Sequence, residues 1–228
     1  MKFGGLIPFT LIDFPGRPAA VLFAAGCNLR CPFCHNPELV MGSGDLCIEE
    51  ALGFLRTRVG KLQGVCVSGG EPTLMPNLAA LLMEIKALGF AVKLDTSGTA
   101  PQILGSLLEK ELVDYAALDV KTSPAKYSAA CGRSIDHELV RESVRLLQSS
   151  GVPHELRTTA VPGLVELTDI QAVGEWLGRV RRYVLQQFRP GKTLDPEYRW
   201  RNPYDQTWFG QAAVLAQSWA DEVIVRGV

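Results

Sequence analysis

The sequence predicts an α/β chain whose mostly parallel sheet forms a partial, laterally open barrel of six strand–helix units. Three observations lead there. Six short apolar runs, bounded by Gly or Pro and rich in β-branched residues, suit strands covered on both faces. Helical patterns separate them, as parallel strands joined by right-handed crossovers require. Polar motifs fall at the carboxyl ends of successive runs, the edge where a parallel barrel gathers its site. Six units are fewer than the eight of a closed barrel, and a flat, doubly wound sheet is the alternative.

The strands are expected at residues 19–25, 64–68, 90–95, 115–120, 153–159 and 182–188, with a short last one at 222–225. Leu78, Leu81, Leu82, Ile85 and Leu88 keep the spacing of one apolar helix face; Pro76 suits its first turn and Gly89 its end. Pro101 opens a second helix, Gly151 closes one that begins near Asp136, and a last helix covers 206–220. Trp176 and Trp219 fit helical core positions. No repeat, low-complexity tract or linker interrupts the pattern, so residues 1–228 read as one domain.

Composition narrows the function. The 228 residues are 47% hydrophobic, enough for a substantial core, and the net charge of −1 gives no long-range field for nucleic acid or an anionic membrane. The stretch Met1 to Pro8 lacks the longer apolar region of a secretory signal, and no apolar run is long enough to span a bilayer. A soluble, cytoplasmic protein is expected, with no nucleic-acid or membrane partner.

Three of the six cysteines, Cys27, Cys31 and Cys34, fall within eight residues directly after the first strand. In a cytosolic chain such clustering points to metal or redox chemistry before disulfides. Iron–sulfur clusters of the four-iron type ordinarily take four cysteines. Three would leave one iron open to chelation by an amino acid's amine and carboxylate. Structural zinc, with His35 or Cys47 as fourth ligand, is the rival reading, although the paired half-sites usual for zinc are missing. Cys66 reads as a small buried side chain, Cys131 as part of a loop and Cys47 as the approach to a helix. None of the three is expected to be catalytic. His137 and His154 read as structural.

Further motifs follow along the chain. Ser68-Gly69-Gly70-Glu71-Pro72 closes the second strand; its glycines permit close backbone approach, and the Glu71 carboxylate can accept from an ammonium group. Asp95-Thr96-Ser97-Gly98 follows the third strand, where an acidic residue can bind ribose hydroxyls. Asp119 and Lys121 share one face at the end of the fourth. Arg157, on the fifth, has a planar fork suited to carboxylate or ribose oxygens. Each taken alone could be a glycine turn or an exposed strand end.

The C-x3-C-x2-C spacing with Phe33 before the last cysteine resembles the cluster loop of the radical S-adenosylmethionine (SAM) superfamily. The segments from Gly5 to Gly16 and from His35 to Glu38 are similar to those of glycyl-radical-enzyme activating proteins, especially those of anaerobic ribonucleoside-triphosphate reductase. The resemblance implies the radical SAM type of open barrel and one [4Fe–4S] cluster on Cys27, Cys31 and Cys34. It implies SAM beside Phe33, Gly69, Gly70, Glu71, Asp95, Thr96, Lys121 and Arg157, with Glu71's motif on the methionine amine and Lys121 on the carboxylate. Asp95 and Asp119 can hold a monovalent cation. A histidine expected near the sixth strand's end is replaced by Arg189.

The implied reaction is reductive cleavage of SAM to a 5′-deoxyadenosyl radical, which takes hydrogen from a backbone glycine of a partner enzyme. No catalytic residue beyond the cluster ligands is expected. Flavodoxin or ferredoxin is the implied electron donor. A small-molecule substrate, such as a nucleoside or pterin precursor, is the alternative. Residues 189–207, with Arg199, Trp200, Arg201, Pro203 and Tyr204, suggest a docking loop.

Overall fold

The computed structural model describes residues 2–42 and 44–228. Their strands form one nine-stranded sheet. The strands and helices run β1 (Lys2–Thr10), β2 (Ala19–Ala24), α1 (Pro37–Val40), β3 (Leu46–Cys47), α2 (Ile48–Arg56), β4 (Gly64–Gly69), α3 (Leu78–Ala87) and β5 (Ala91–Thr96). They continue with α4 (Pro101–Glu109), β6 (Tyr115–Asp119), α5 (Tyr127–Cys131), α6 (His137–Ser150), β7 (His154–Ala160), α7 (Leu167–Leu177), β8 (Val180–Gln187), α8 (Gln206–Ala216) and β9 (Ala220–Arg226).

The order across the sheet is β3-β1-β2-β4-β5-β6-β7-β8-β9, with β2 and β4 to β9 mutually parallel. The ends of this order do not pair, so the sheet is open as expected. The expected strands match β2 and β4 to β9 within a few residues at each end.

Side-chain alternation decides between the open barrel and a doubly wound sheet. Successive strand residues point to opposite faces. Leu22, Val65, Val67, Val92, Leu94, Leu118, Leu156 and Leu185 lie on one face, buried in a core shared with Leu81, Leu82, Leu104, Val144 and Phe209 of the helices. Their strand neighbours Cys66, Lys93, Asp95, Asp119, Glu155 and Arg157 line the other face. A doubly wound sheet would put helices over both faces. Here the second face carries charge, so the expectation of strands covered on both faces by apolar packing is corrected.

Near the amino ends of the strands this inner face is closed by Phe14, packed with Ala19 and Tyr115. Toward β9 it carries a polar ladder. Arg226 holds Glu155 through two bonds of 2.9 and 2.8 Å, and Arg182 joins Tyr115 Oη and Glu222.

The sequence pattern missed β1 and β3. β1 contains Gly4, Gly5 and Pro8, residues depleted in strands, and its register slips twice against β2. β3 pairs only with Lys2 and Phe3, so the rest of β1 lies on an open edge where Pro8 leaves no ladder bond unmade.

Three local expectations also change. Pro76 lies before α3, whose start is marked by Asn77 in a left-handed conformation, φ 60°. Trp219 sits in the turn after α8, where its ring fills the space that a side chain at Gly174 would need. Cys131 closes α5 instead of lying in a loop.

Candidate active site

The cysteine loop leaves β2 and is pinned from two sides. Arg30 N–H donates to the Cys131 carbonyl at 2.8 Å, and the Arg30 guanidinium donates to the carbonyls of Cys27 and Leu29, both at 2.7 Å. From the other side Leu194 N–H reaches the Cys34 carbonyl at 3.0 Å and Asp195 N–H the Pro32 carbonyl at 2.9 Å. Residues 189–207 therefore brace the cysteine loop, with Trp200 projecting at 86% exposure. Arg201 anchors that segment by donating to the Pro162 carbonyl at 2.6 Å and covering the Tyr198 ring.

Cys27, Cys31, Phe33 and Cys34 line an open cavity of about 230 Å³ at the carboxyl edge of the sheet. Gly69, Gly70, Asp95, Thr96, Asp119, Lys121 and Arg157 line it too, so all but one of the expected site residues meet there. Ser68, Ser97 and Thr159 join them without having been singled out by the sequence; hydroxyls beside a motif carry no distinctive spacing. His35 also lines the cavity. Its ring lies on Phe188 and its Nε2 donates to the Arg189 carbonyl at 2.8 Å, so Arg189 enters through its backbone.

All six cysteines are free thiols. Burial raises the Cys27 thiol to about 11 against the weaker opposing effect of the Leu29 N–H, and burial likewise raises Cys34. Cys31 is raised by a hydrogen bond with Cys131 together with burial. Metal binding would have to displace these protons. Among the described residues no three His, Cys, Asp or Glu side chains converge as ligands of one metal ion.

Opposite the thiols, charges form a chain across three strands, β5, β6 and β7. Lys93 pairs with Asp95; Arg157 bridges Asp95 at 3.2 Å and Asp119 at 2.8 Å; Lys121 reaches Asp119 at 3.0 Å. Burial opposes ionisation of both aspartates, but Arg157 and the lysines outweigh it and hold the carboxyls below their usual range. Burial likewise works against Lys121; Asp119, followed by Cys31, more than offsets it and raises the ammonium's pKa. Within this chain three cations face two carboxylates. The Arg157 guanidinium bridges Asp95 and Asp119, the two carboxylates expected beside a monovalent cation.

Glu71 is the expected residue that does not line the cavity. It is 1% exposed, and its Oε1 accepts from Thr73 N–H, Thr73 Oγ1 and Thr96 Oγ1 while Oε2 accepts from Ser97 N–H and Ser97 Oγ, at 2.6 to 3.1 Å. Through these bonds the carboxylate ties the turn after β4 to the loop after β5. Glu71→Gln should cost about 1–3 kcal/mol, because the amide nitrogen would face donors; equilibrium denaturation measures it.

The two glycines have a packing reason. Gly69 has φ 110°, and a Cβ on it would lie 2.6 Å from Ala24 N. A Cβ on Gly70 would overlap the Gly26 carbonyl. Gly70 N–H and Glu71 N–H donate to Ala24 and Gly26 at 2.9 and 2.8 Å, so this turn lies directly against the root of the cysteine loop. Nearby, Asn28 Oδ1 is buried without a hydrogen-bond partner. Three free thiols, the Lys121 ammonium beside them and a side-chain-free cradle suit a thiolate-bound cluster together with a ligand bearing a carboxylate.

A family model described as the Radical SAM superfamily matches residues 21–173. A putative glycyl-radical enzyme activating enzyme of Methanocaldococcus jannaschii is 29% identical over 98% of this chain and 95% of its own length. The pyruvate formate-lyase-activating enzyme of Streptococcus mutans is 30% identical over 85% of this chain and 78% of its own. Among solved structures, Streptococcus suis SuiB bound to precursor peptide SuiA superposes with a TM-score of 0.68 at 13% identity, over 91% of this chain and 48% of that one. The last of these speaks to the fold alone.

Proposed function

The chain belongs to the radical SAM superfamily and is related to the glycyl-radical-enzyme activating proteins, and from that premise we propose that it activates a partner enzyme by drawing hydrogen from one of its backbone glycines. Anaerobic ribonucleoside-triphosphate reductase is the proposed partner, and flavodoxin or ferredoxin the proposed source of electrons. The observation that carries this reading is the cavity in which three free thiols face the Lys121, Asp119, Arg157 and Asp95 charge network.

Cys27, Cys31 and Cys34 would hold a [4Fe–4S] cluster, and the cavity beside them would hold SAM. When bound, the two supply a hydrogen-abstracting radical through one-electron cleavage of the sulfonium. Lys121 is the side chain for the methionine carboxylate, since it influences all three thiols and is already charged by Asp119. The backbone of Gly69 and Gly70 forms the wall for the amine. Asp95 and Thr96 are proposed for the ribose, with Phe33 beside the adenine. Arg157 keeps Asp95 and Asp119 ionised and in place.

The open sheet supports a protein substrate. Glycine lacks a side chain, so its α-carbon can flatten and share an unpaired electron with the flanking amides. A loop carrying it needs access to the cavity, which the unpaired ends of the sheet supply. Mixing the reconstituted protein with the reductase and reductant should yield a glycyl radical by electron paramagnetic resonance. SAM cleavage with no protein radical on any glycyl-radical enzyme would favour a small-molecule substrate.

Docking is assigned to the segment around Trp200, a large apolar side chain left exposed on the brace of the cysteine loop. Trp200→Ala should lower partner activation about tenfold or more, the loss of a hot-spot side chain at an interface. Partner-free SAM cleavage should be unchanged. Equal activation by both proteins would end that assignment.

A further inference from the structure

We propose that a second cavity, beside the thiol cavity, receives the backbone of the partner's glycine loop, and that Gln186 is the specificity-determining residue that holds one of its peptide groups. This rests on the proposed protein substrate and adds where that substrate lies.

The second cavity measures about 240 Å³, and its walls include Thr159, Gln186, Arg226 and Gly227. It shares His35 and Thr159 with the thiol cavity, so the two spaces are neighbours with a common wall. Strand register builds the rest. Thr159 pairs with Gln186, and Gln186 with Arg226, across β7, β8 and β9. Register partners in a parallel sheet point to the same face. That face is the charged inner one, because Arg157, two residues before Thr159, lies on it. A hydroxyl, a carboxamide and a guanidinium therefore stand in one row.

The row is not fully committed. Arg226 is held by Glu155 through two bonds of 2.9 and 2.8 Å, which neutralise its charge. Gln187, next along β8, gives its Nε2 to the Tyr204 carbonyl at 2.6 Å. Among the described residues none bonds to the Gln186 carboxamide, which is half-buried against the cavity. The other cation of the lining, Arg189, is exposed to solvent. A neutral polar group suits such a wall better than an ion does. A carboxamide carries N–H donors and a carbonyl acceptor side by side, the complement of a peptide group.

The cavity also has a way in. β9 is the last strand of the sheet and, among the described residues, pairs only with β8. A continuous chain can cross that open edge, pass over Gln186 and reach the thiol cavity beyond Thr159. Glycine suits this route, since without a side chain its flanking peptide groups can lie close against the wall.

The test uses wild type, Gln186→Leu and Gln186→Asn, each mixed with increasing concentrations of anaerobic ribonucleoside-triphosphate reductase. Glycyl radical is read by electron paramagnetic resonance and 5′-deoxyadenosine by chromatography. Gln186→Leu keeps much of the bulk and loses both bonding groups. It should raise KM for the partner about tenfold, the scale of a lost pair of hydrogen bonds. It should also release more 5′-deoxyadenosine per glycyl radical, because a loosely held loop is missed more often. Gln186→Asn, whose amide is one methylene shorter, should fall between the two. SAM affinity and partner-free SAM cleavage should match wild type. An unchanged KM and an unchanged ratio in Gln186→Leu overturn the proposal. Weaker SAM binding in that variant also overturns it, since the cavity would then belong to SAM. A wild type that cleaves SAM but forms no radical on any glycyl-radical enzyme sinks the activation reading itself, and this assignment with it. The first two failures show only in the variant, the last in the wild type.

Discussion

Cys34→Ala, reconstituted without oxygen, should lose its intact four-iron cluster and release no detectable 5′-deoxyadenosine from SAM, while folding as wild type does. The two halves of this expectation have separate causes. Cys34 is half-buried, and the loop around it is held by backbone and Arg30 bonds that the thiol does not make. Deleting one partly exposed sulfur should cost about 1 kcal/mol or less. With only three clustered thiols, however, the cluster has no spare ligand. Even loss of an outer-shell partner typically costs about 10–100-fold in metal affinity or activity, and loss of a ligand should exceed that. Iron and sulfide analysis, product chromatography and circular dichroism read the three quantities. A Cys34→Ala protein that cleaves SAM at the wild-type rate would show that another residue completes the site.

Arg157→Met should be the most destabilising single change at the site. The guanidinium is 14% exposed and is shared by Asp95 and Asp119, which are 14% and 30% exposed. Methionine approximates the stem but leaves two partly buried carboxylates facing each other with only Lys93 and Lys121 to compensate. Breaking such a pair costs about 3–5 kcal/mol, which for a chain of this size lowers Tm by on the order of 10 °C.

The loss should depend on pH in a definite direction. Both aspartates are held below the usual carboxylate range in the folded chain. Their contribution is therefore complete above the unfolded pKa of about 4 and is lost as pH falls through the folded values. Removing Arg157 weakens that contribution, so the gap between variant and wild type should be widest near neutrality and narrow in acid. Denaturant unfolding at pH 7 and at pH 3 measures both points; a gap that widens in acid would contradict the network as described.

Much of this site was legible because its motifs sit where the strands announce themselves. Apolar runs such as 64–68 and 90–95 end at glycines or at an aspartate, and in a parallel sheet those ends converge. The face of the sheet was legible only in part. Lys93 within a hydrophobic run gave no hint that it would join Asp95 and Arg157 in a buried chain, because Arg157 comes from a strand 62 residues beyond Asp95. The hydrogen bonds of Glu71 were not legible because a motif names a carboxylate without saying which way it points; Thr73, Thr96 and Ser97 decide that, and two of them lie on another loop. The contact of Cys131 with the cysteine loop was not legible, since its carbonyl meets Arg30 N–H only where the end of α5 folds against that loop. Strand β1 escaped because an edge strand can carry Gly and Pro that a central strand could not.

The most direct test of the three-thiolate site is electron paramagnetic resonance of the anaerobically reconstituted, reduced protein before and after addition of SAM, with metal analysis of the same sample. One [4Fe–4S] cluster per chain, with a signal altered by SAM and 5′-deoxyadenosine released, is the expected result. A zinc ion, or a cluster whose signal ignores SAM because every iron is already bound by protein, would contradict it.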